Sequence, residues 1–315
     1  MQFPGATVAE KRALAITDPT VDRLRKVLCF EPRGHADMYG GFITPADDDG
    51  AHFGVLFWHK DGFSTACGHG TIALGAWALD TGLVEADPSG TTDVIIDVPS
   101  GRVTARVRTD DHGRSTSAEF VNVASRLVAE DVSVTTTRGE CQVALGWGGA
   151  LYACLDVASA GLRVAPEDLN ALIELGREVK AALADDPRIE HPNDPRLSGV
   201  YGTIFFEDLG TLPTGELHQR NVTVFADGQV DRSPCGSGTA ARVAVLHATG
   251  ALRDGQDLVH DSIVGTRFHA RVEETTAAHG APAVVPVVTG NAYKVAQSTF
   301  VIDPRDELTP GFVLR

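Results

Sequence analysis

The chain has 315 residues, 43% hydrophobic and 22% charged, proportions of a soluble globular protein whose core suits one large domain or two ordinary ones. With 27 Lys and Arg against 42 Asp and Glu the formal charge is −15, which removes the basic stripe that a nucleic-acid binder needs. The same charge repels small carboxylates at long range, so any anion site must be local, built from backbone N–H groups or helix N-termini.

The opening stretch, MQFPGATVAEKRALAI, has no basic segment followed by an apolar one, and no run reaches the roughly 18 apolar residues of a membrane span. A cytoplasmic protein with no membrane partner is expected. At 18–28, DPTVDRLRKVL puts Asp18 at a cap, Pro19 in the first turn and apolar residues on one face, which predicts a helix. In RGHADMYGG (33–41), His35 and Asp37 are read as fixing a loop, and ADDDG (46–50) as a solvated turn. Strands are predicted at 52–58 (HFGVLFW), 92–98 (TDVIIDV), 102–109 (RVTARVRT) and 117–123 (SAEFVNV). A long amphipathic helix follows at 165–184. Further strands are predicted at 200–207 (VYGTIFFE), 220–226 (RNVTVFA), 267–274 (RFHARVEE) and 298–303 (STFVID). Many strands and few helices indicate an α+β protein. The five cysteines are odd in number and irregularly spaced, which fits reduced thiols better than a disulfide framework or a zinc site. Cys29, Cys141 and Cys154 read as small buried hydrophobes.

The remaining two cysteines open an internal echo. CGHGTIALGAWALDTGLV (67–84) and CGSGTAARVAVLHATGAL (235–252) agree at eight of eighteen positions, including the Cys-Gly-x-Gly-Thr start and the Thr-Gly end. Both read as Ala-rich helices that follow a strand and stop at a glycine C-cap. Two related halves are inferred, each presenting a cysteine at the N-terminus of its central helix.

A thiol in that position sits at the positive end of the helix dipole, which lowers its pKa and favours thiolate. The glycines permit close backbone approach and leave N–H groups for a carboxylate. If the two helix starts meet, an amino acid's α-carbon can lie between the sulfurs. One thiolate then removes the α-proton from one face and the other thiol protonates the opposite face, which inverts the centre. The plainer reading, two ordinary buried cysteines, does not account for the echo. GWGG (146–149) and GSGTAA (236–241) complete no nucleotide-binding loop, and the histidines show no HExxH or paired spacing, so neither cofactor nor metal is expected.

EPRGHADMYGG (31–41), STACGHGTIALG (64–75), VFADGQVDRSPCGSGTAAR (224–242) and the tail STFVIDPRDELTPGFVLR together resemble the proline racemase family, whose fold is similar to that of diaminopimelate epimerase. The resemblance implies two pseudo-symmetric lobes, each a curved mixed sheet around a central helix. We expect one lobe over 1–125 with 290–315, including a last strand, and the other over 126–289. It implies cofactor-independent racemisation or epimerisation at Cα of proline or a hydroxyproline, with Cys67 and Cys235 as the two bases. Gly68, His69, Gly236 and Ser237 would hold the carboxylate through backbone N–H groups, with His69 positioning rather than acting as a base. Asp231 would accept a hydrogen bond from the ring nitrogen, Tyr39 and Phe225 would wall the ring, and Ser64 would border its far side.

Two features depart from that family's pattern. The strand and HTxGEP-like segment that precede the equivalent of TVAEKRA are missing, so the sheet is expected to be weakened near the cleft. The motifs around the cysteines resemble the trans-3-hydroxy-L-proline dehydratase branch, in which threonine stands at the position of Cys235. Dehydration is therefore the alternative activity, and a non-catalytic imino-acid-binding protein on the same fold is a third reading. The thiol at 235 decides for inversion, because reprotonation of the second face needs it. The expected partner is a small-molecule substrate, and a homodimer is the default assembly.

Overall fold

The computed structural model describes residues 3–314. Helix α1 (Val8–Thr17) starts at a capping box in which Thr7 and Glu10 bond each other's backbone. Its core face carries Val8, Lys11 and Ala15, and buried Lys11 donates from Nζ to Pro45 O at 2.8 Å. That charged residue masks the helical stripe, and the sequence reading does not find α1. In α2 (Pro19–Cys29) the Asp18 carboxylate accepts from the N–H groups of Thr20 and Val21, as the cap at 18 predicts.

Strands β1 (Tyr39–Thr44), β2 (Phe53–His59) and β3 (Gly62–Phe63) lead into α3 (Gly68–Asp80). Every residue of β2 is buried, so its sequence reads as a continuous apolar run. An antiparallel meander follows: β4 (Thr91–Val98), β5 (Gly101–Thr109) and β6 (Ser115–Val121). Next come β7 (Arg126–Thr136), β8 (Gly139–Trp147), β9 (Leu151–Asp156) and α4 (Leu169–Ala182). The predicted helix start at 165–168 is instead a 3-10 turn at Pro166–Asp168 that runs into α4. The chain continues through β10 (Val200–Thr211), β11 (Leu217–Phe225), β12 (Gln229–Val230), α5 (Gly236–Ala248), β13 (Leu258–Ser262), β14 (Arg267–Ala278) and β15 (Ala281–Gly290). The architecture is α+β.

Hydrogen bonding links the main strands in the order β1-β2-β4-β5-β6-β15-β14-β13-β11-β10-β9-β8-β7. β2 and β4 are joined only at Phe53–Ile96 and Gly54–Asp97, and a bridge between Ser125 and Val284 brings the start of β7 back towards β15. The sheet curls around α5, which is buried at every residue from Gly236 to Leu246. Its echo α3 is covered on one side by β4, β5 and β6 and leaves Ala73, Trp77 and Asp80 exposed. Apolar clusters lie on both sides of this frame, one centred on Val55, Ile72, Ile96 and Phe120, the other on Leu145, Leu155, Leu172 and Phe205.

The predicted strand at 298–303 is not a strand. Residues 291–303 find no ladder partner among the described residues, and Val301 stays 81% exposed. Alternation alone does not make a strand; ladder partners decide it. The tail returns to the body at a bridge between Glu31 and Phe312. All five cysteines are buried and unbonded, and no described helix is long and apolar enough to cross a membrane.

Candidate active site

Cys67 is the N-cap of α3, with extended backbone (φ −153°), and its sulfur accepts from Gly70 N at 3.3 Å. Cys235 is the N-cap of α5, and its sulfur accepts from Gly238 N at 3.4 Å. The same device is built twice. The two glycines of each Cys-Gly-x-Gly do separate work. A Cβ at Gly70 would lie 2.8 Å from the Cys67 sulfur, and one at Gly238 2.9 Å from the Cys235 sulfur. A Cβ at Gly236 would lie 2.4 Å from Gly68 Cα, and one at Gly68 2.6 Å from the Gly236 backbone. The first glycines let the two helix starts touch backbone to backbone; the second let each sulfur fold over its own first turn.

The copies differ in strain. Cys235 has φ +63°, a left-handed value costly for a residue with a Cβ. It is held there by the Ser233 hydroxyl, which accepts from Cys235 N at 3.1 Å, and by Thr239 N donating to Cys235 O at 2.9 Å. Between the helices, Gly68 N donates to Ser237 Oγ at 3.0 Å. The first-turn N–H groups of His69, Gly236 and Ser237 have no intrahelical acceptor by construction.

His69 reaches across this junction. Its Nδ1 lies 3.1 Å from Asp231 Oδ2, and Asp231 also accepts from Ser233 N and Ser233 Oγ, each at 2.9 Å. Burial works against the imidazolium, but Asp231 and then Cys67 outweigh it, and the His69 pKa is raised well above 6.5. Burial likewise opposes the Asp231 carboxylate, and His69 and Ser233 more than offset it, so that pKa is lowered. The His69 side chain is 32% exposed, so solvent screening weakens the pair relative to a fully buried one. The stability it contributes is lost as pH rises through the raised His69 pKa and as pH falls through the lowered Asp231 pKa, and is present between them. In Asp231→Asn, burial should dominate and the His69 pKa should fall, read by NMR titration of its ring protons. An unchanged His69 titration would refute this account of the pair.

Cys67, Gly68, His69, Ser237, Asp231 and Cys235 border one cavity of about 20 Å³. Tyr39 at the start of β1 and Phe225 at the end of β11 also line it, their ring centroids 5.9 Å apart. Gly236 contributes backbone contact with Gly68. Ser64 sits elsewhere than expected: it hydrogen-bonds the Tyr39 hydroxyl from an adjoining, larger cleft. His35 Nδ1 accepts from Asp37 N at 3.2 Å within the loop, but Asp37 also reaches a distant segment, accepting from Val230 N at 3.0 Å and pairing with Arg232.

Besides Ala66, next to Cys67, two aromatic lining residues escape the sequence reading, Tyr152 on β9 and Tyr201 on β10. Tyr201 stacks on Phe225 at 5.6 Å, and the Tyr152 hydroxyl is 4.0 Å from the Cys235 sulfur. Each is an ordinary aromatic within a strand, and no local spacing marks it. Ser233, two residues after Asp231, carries a signal that was available: Asp-x-Ser is a side-chain turn pattern.

The expectation that both helix starts lower the thiol pKa fails at Cys235. Burial, then Asp231, raises that pKa well above 9.0 despite the Gly238 N–H, so desolvation outweighs the helix terminus and the group is a thiol at neutral pH. An acid thiol, a second thiol beside an imidazolium and unpaired first-turn N–H groups can together move protons at a carbon next to a carboxylate.

The proline racemase family profile matches residues 1–313. A trans-3-hydroxy-L-proline dehydratase of Bacillus cereus is 42% identical over 99% of this chain and 92% of its own length. A 3-hydroxyproline 2-epimerase of Burkholderia multivorans is 42% identical over 100% of this chain and 92% of its own. The crystal structure of a hydroxyproline epimerase from Agrobacterium vitis, with bound trans-4-hydroxy-L-proline, superposes with a TM-score of 0.90 at 32% identity, covering 100% of this chain and 89% of that one.

Proposed function

Because this chain belongs to the proline racemase family, a family of epimerases and dehydratases, we propose that it inverts Cα of proline or a hydroxyproline without a cofactor. Cys67 and Cys235 are the two acid/base groups in this reading. The observation that carries it is the pair of thiols at echoed helix starts bordering one cavity, with the helix backbones in contact at Gly68 and Gly236.

The substrate carboxylate is held by the first-turn N–H groups of His69, Gly236 and Ser237, and competes with Ser237 Oγ for Gly68 N. Asp231 accepts from the ring nitrogen while paired with His69. Tyr39 and Phe225 wall the ring. Cys235, kept protonated by burial and by Asp231, starts as the acid, and the role of base falls to Cys67 on the opposite side. The substrate closes between the lobes formed by 1–125 with 290–315 and by 126–289.

Dehydration of trans-3-hydroxy-L-proline is the second reading, favoured by the name of the B. cereus relative. Both reactions begin with removal of the α-proton and then diverge. Inversion returns a proton to the opposite face; dehydration expels hydroxide from C3. The test is incubation with each imino acid in deuterated water, followed by chiral chromatography and a ketimine assay. Deuterium at Cα and inversion of proline or 4-hydroxyproline are expected. Efficient dehydration of the 3-hydroxy substrate with no inversion of any would establish the dehydratase, and absence of exchange with all of them would leave a binding protein.

A further inference from the structure

Beside the catalytic cavity lies a polar cleft of about 410 Å³. Tyr201 lines both spaces, and Ser64 on the cleft wall bonds Tyr39 of the cavity. Three charged groups on that wall are already paired: Asp61 with Lys60, Asp227 with Arg177, and Arg196 with Asp194. Arg12 and Lys180 differ. Among the described residues neither forms an ion pair; both donate to backbone carbonyls. Arg12 Nε bonds Phe63 O at 2.9 Å and its Nη1 bonds Arg196 O at 3.1 Å, and Lys180 Nζ bonds Ala226 O at 2.8 Å.

Asp61 and Asp227 act on Lys180 only at longer range, and burial, the largest effect, lowers the pKa of Arg12 and of Lys180. A carboxylate arriving between them would offset that desolvation. His59, on the same wall, is held neutral by burial, its pKa lowered to about 3. In a chain of net charge −15, two cations without an ion-pair partner among the described residues, in a cleft that shares Tyr201 with the cavity of the thiols, form a local positive site.

We propose that this cleft is a separate subsite for a small carboxylate, occupied by the imino acid before it reaches Cys67 and Cys235, with Arg12 and Lys180 as its anion-holding groups. The identity of the carboxylate rests on the function proposed above; the existence of the subsite does not. Tyr201, common to both spaces, is the wall the ligand passes.

The test is steady-state kinetics of the full chain and of Lys180→Met and Arg12→Gln at about 20 mM and 500 mM NaCl, which changes screening several-fold. Each variant should lose ~10-fold in kcat/KM, the scale of one charge-assisted hydrogen bond, with kcat kept. The salt dependence of kcat/KM should flatten in both, and Lys180→Arg should restore it. Unchanged KM and salt dependence, or a fall in kcat that accounts for the whole effect, would overturn the subsite. If Arg12→Gln fails to fold, having lost its ties to Phe63 and Arg196, Lys180→Met decides alone. If the wild type converts no imino acid, the proposed function has failed, and the cleft is judged by equilibrium binding of pyrrole-2-carboxylate to protein alkylated at Cys67 and Cys235. Salt-sensitive binding lost in Lys180→Met supports the subsite; absent or unaltered binding refutes it.

Discussion

Cys67→Ser and Cys235→Ser should each reduce net inversion by ~100-fold or more, the scale of a lost general acid or base. A hydroxyl keeps the size and the hydrogen bond from Gly70 or Gly238, so the pocket should survive. Its pKa is far too high to exchange a proton at neutral pH, and that alone removes the function. The two variants should differ in partial reactions. The one that keeps the base for a given enantiomer should still exchange its α-hydrogen while failing to invert it. Cys235→Thr should behave like the serine variant for inversion and keep or gain dehydration of the 3-hydroxy substrate, since loss of hydroxide does not need a base on the second face. Chiral chromatography and deuterium incorporation on the same samples measure both. Near-normal inversion by either serine variant would end the two-thiol mechanism.

The second large effect is expected where no side chain exists. Gly68→Ala and Gly236→Ala should each cut activity by about 100-fold, because an ångström-scale displacement of a catalytic group costs that much. In an ordinary helix, replacing glycine with alanine stabilises by roughly 0.4–1 kcal/mol. At these positions the new Cβ would lie 2.6 Å or 2.4 Å from backbone of the facing helix, and backbone cannot rotate away. The sign should therefore reverse, with a loss of ~1–3 kcal/mol, the range for overpacking a closed core. Separation of α3 from α5 would also break the bond from Gly68 N to Ser237 Oγ. Thermal unfolding beside kinetics tests both halves. A variant as stable and active as wild type would show that the helix starts do not need this contact.

Much of the site was legible locally. The echo at 67–84 and 235–252 located both sulfurs, both helix first turns and the glycines that follow the C-caps, Gly82 and Gly250, which have φ +69° and +73°. Cap and glycine chemistry depends on a residue and its neighbours within one turn, so spacing is enough to read it. Strands such as β4 and β5 were legible for the same reason, since alternation is a nearest-neighbour property.

What stayed hidden depends on groups distant in sequence. Tyr152 and Tyr201 became part of the cavity because β9 and β10 pair in parallel and bring the two rings together at 5.8 Å, with Tyr201 stacked in turn on Phe225. Ser64 lines the adjoining cleft and meets the cavity only through its bond to Tyr39. Lys11 can sit in the core because its Nζ donates a hydrogen bond to Pro45 O. The tail at 298–303 has a strand's composition but pairs with no strand among the described residues. Cys235 shows the division most directly. Its place at a helix start is written in Cys-Gly-x-Gly, but the direction of its pKa is set by desolvation and by Asp231. Residue type and short-range spacing determined which groups are the candidates for the chemistry; the packed fold decided their protonation, partners and access, because burial and long-range contact exist only once the chain has closed on itself.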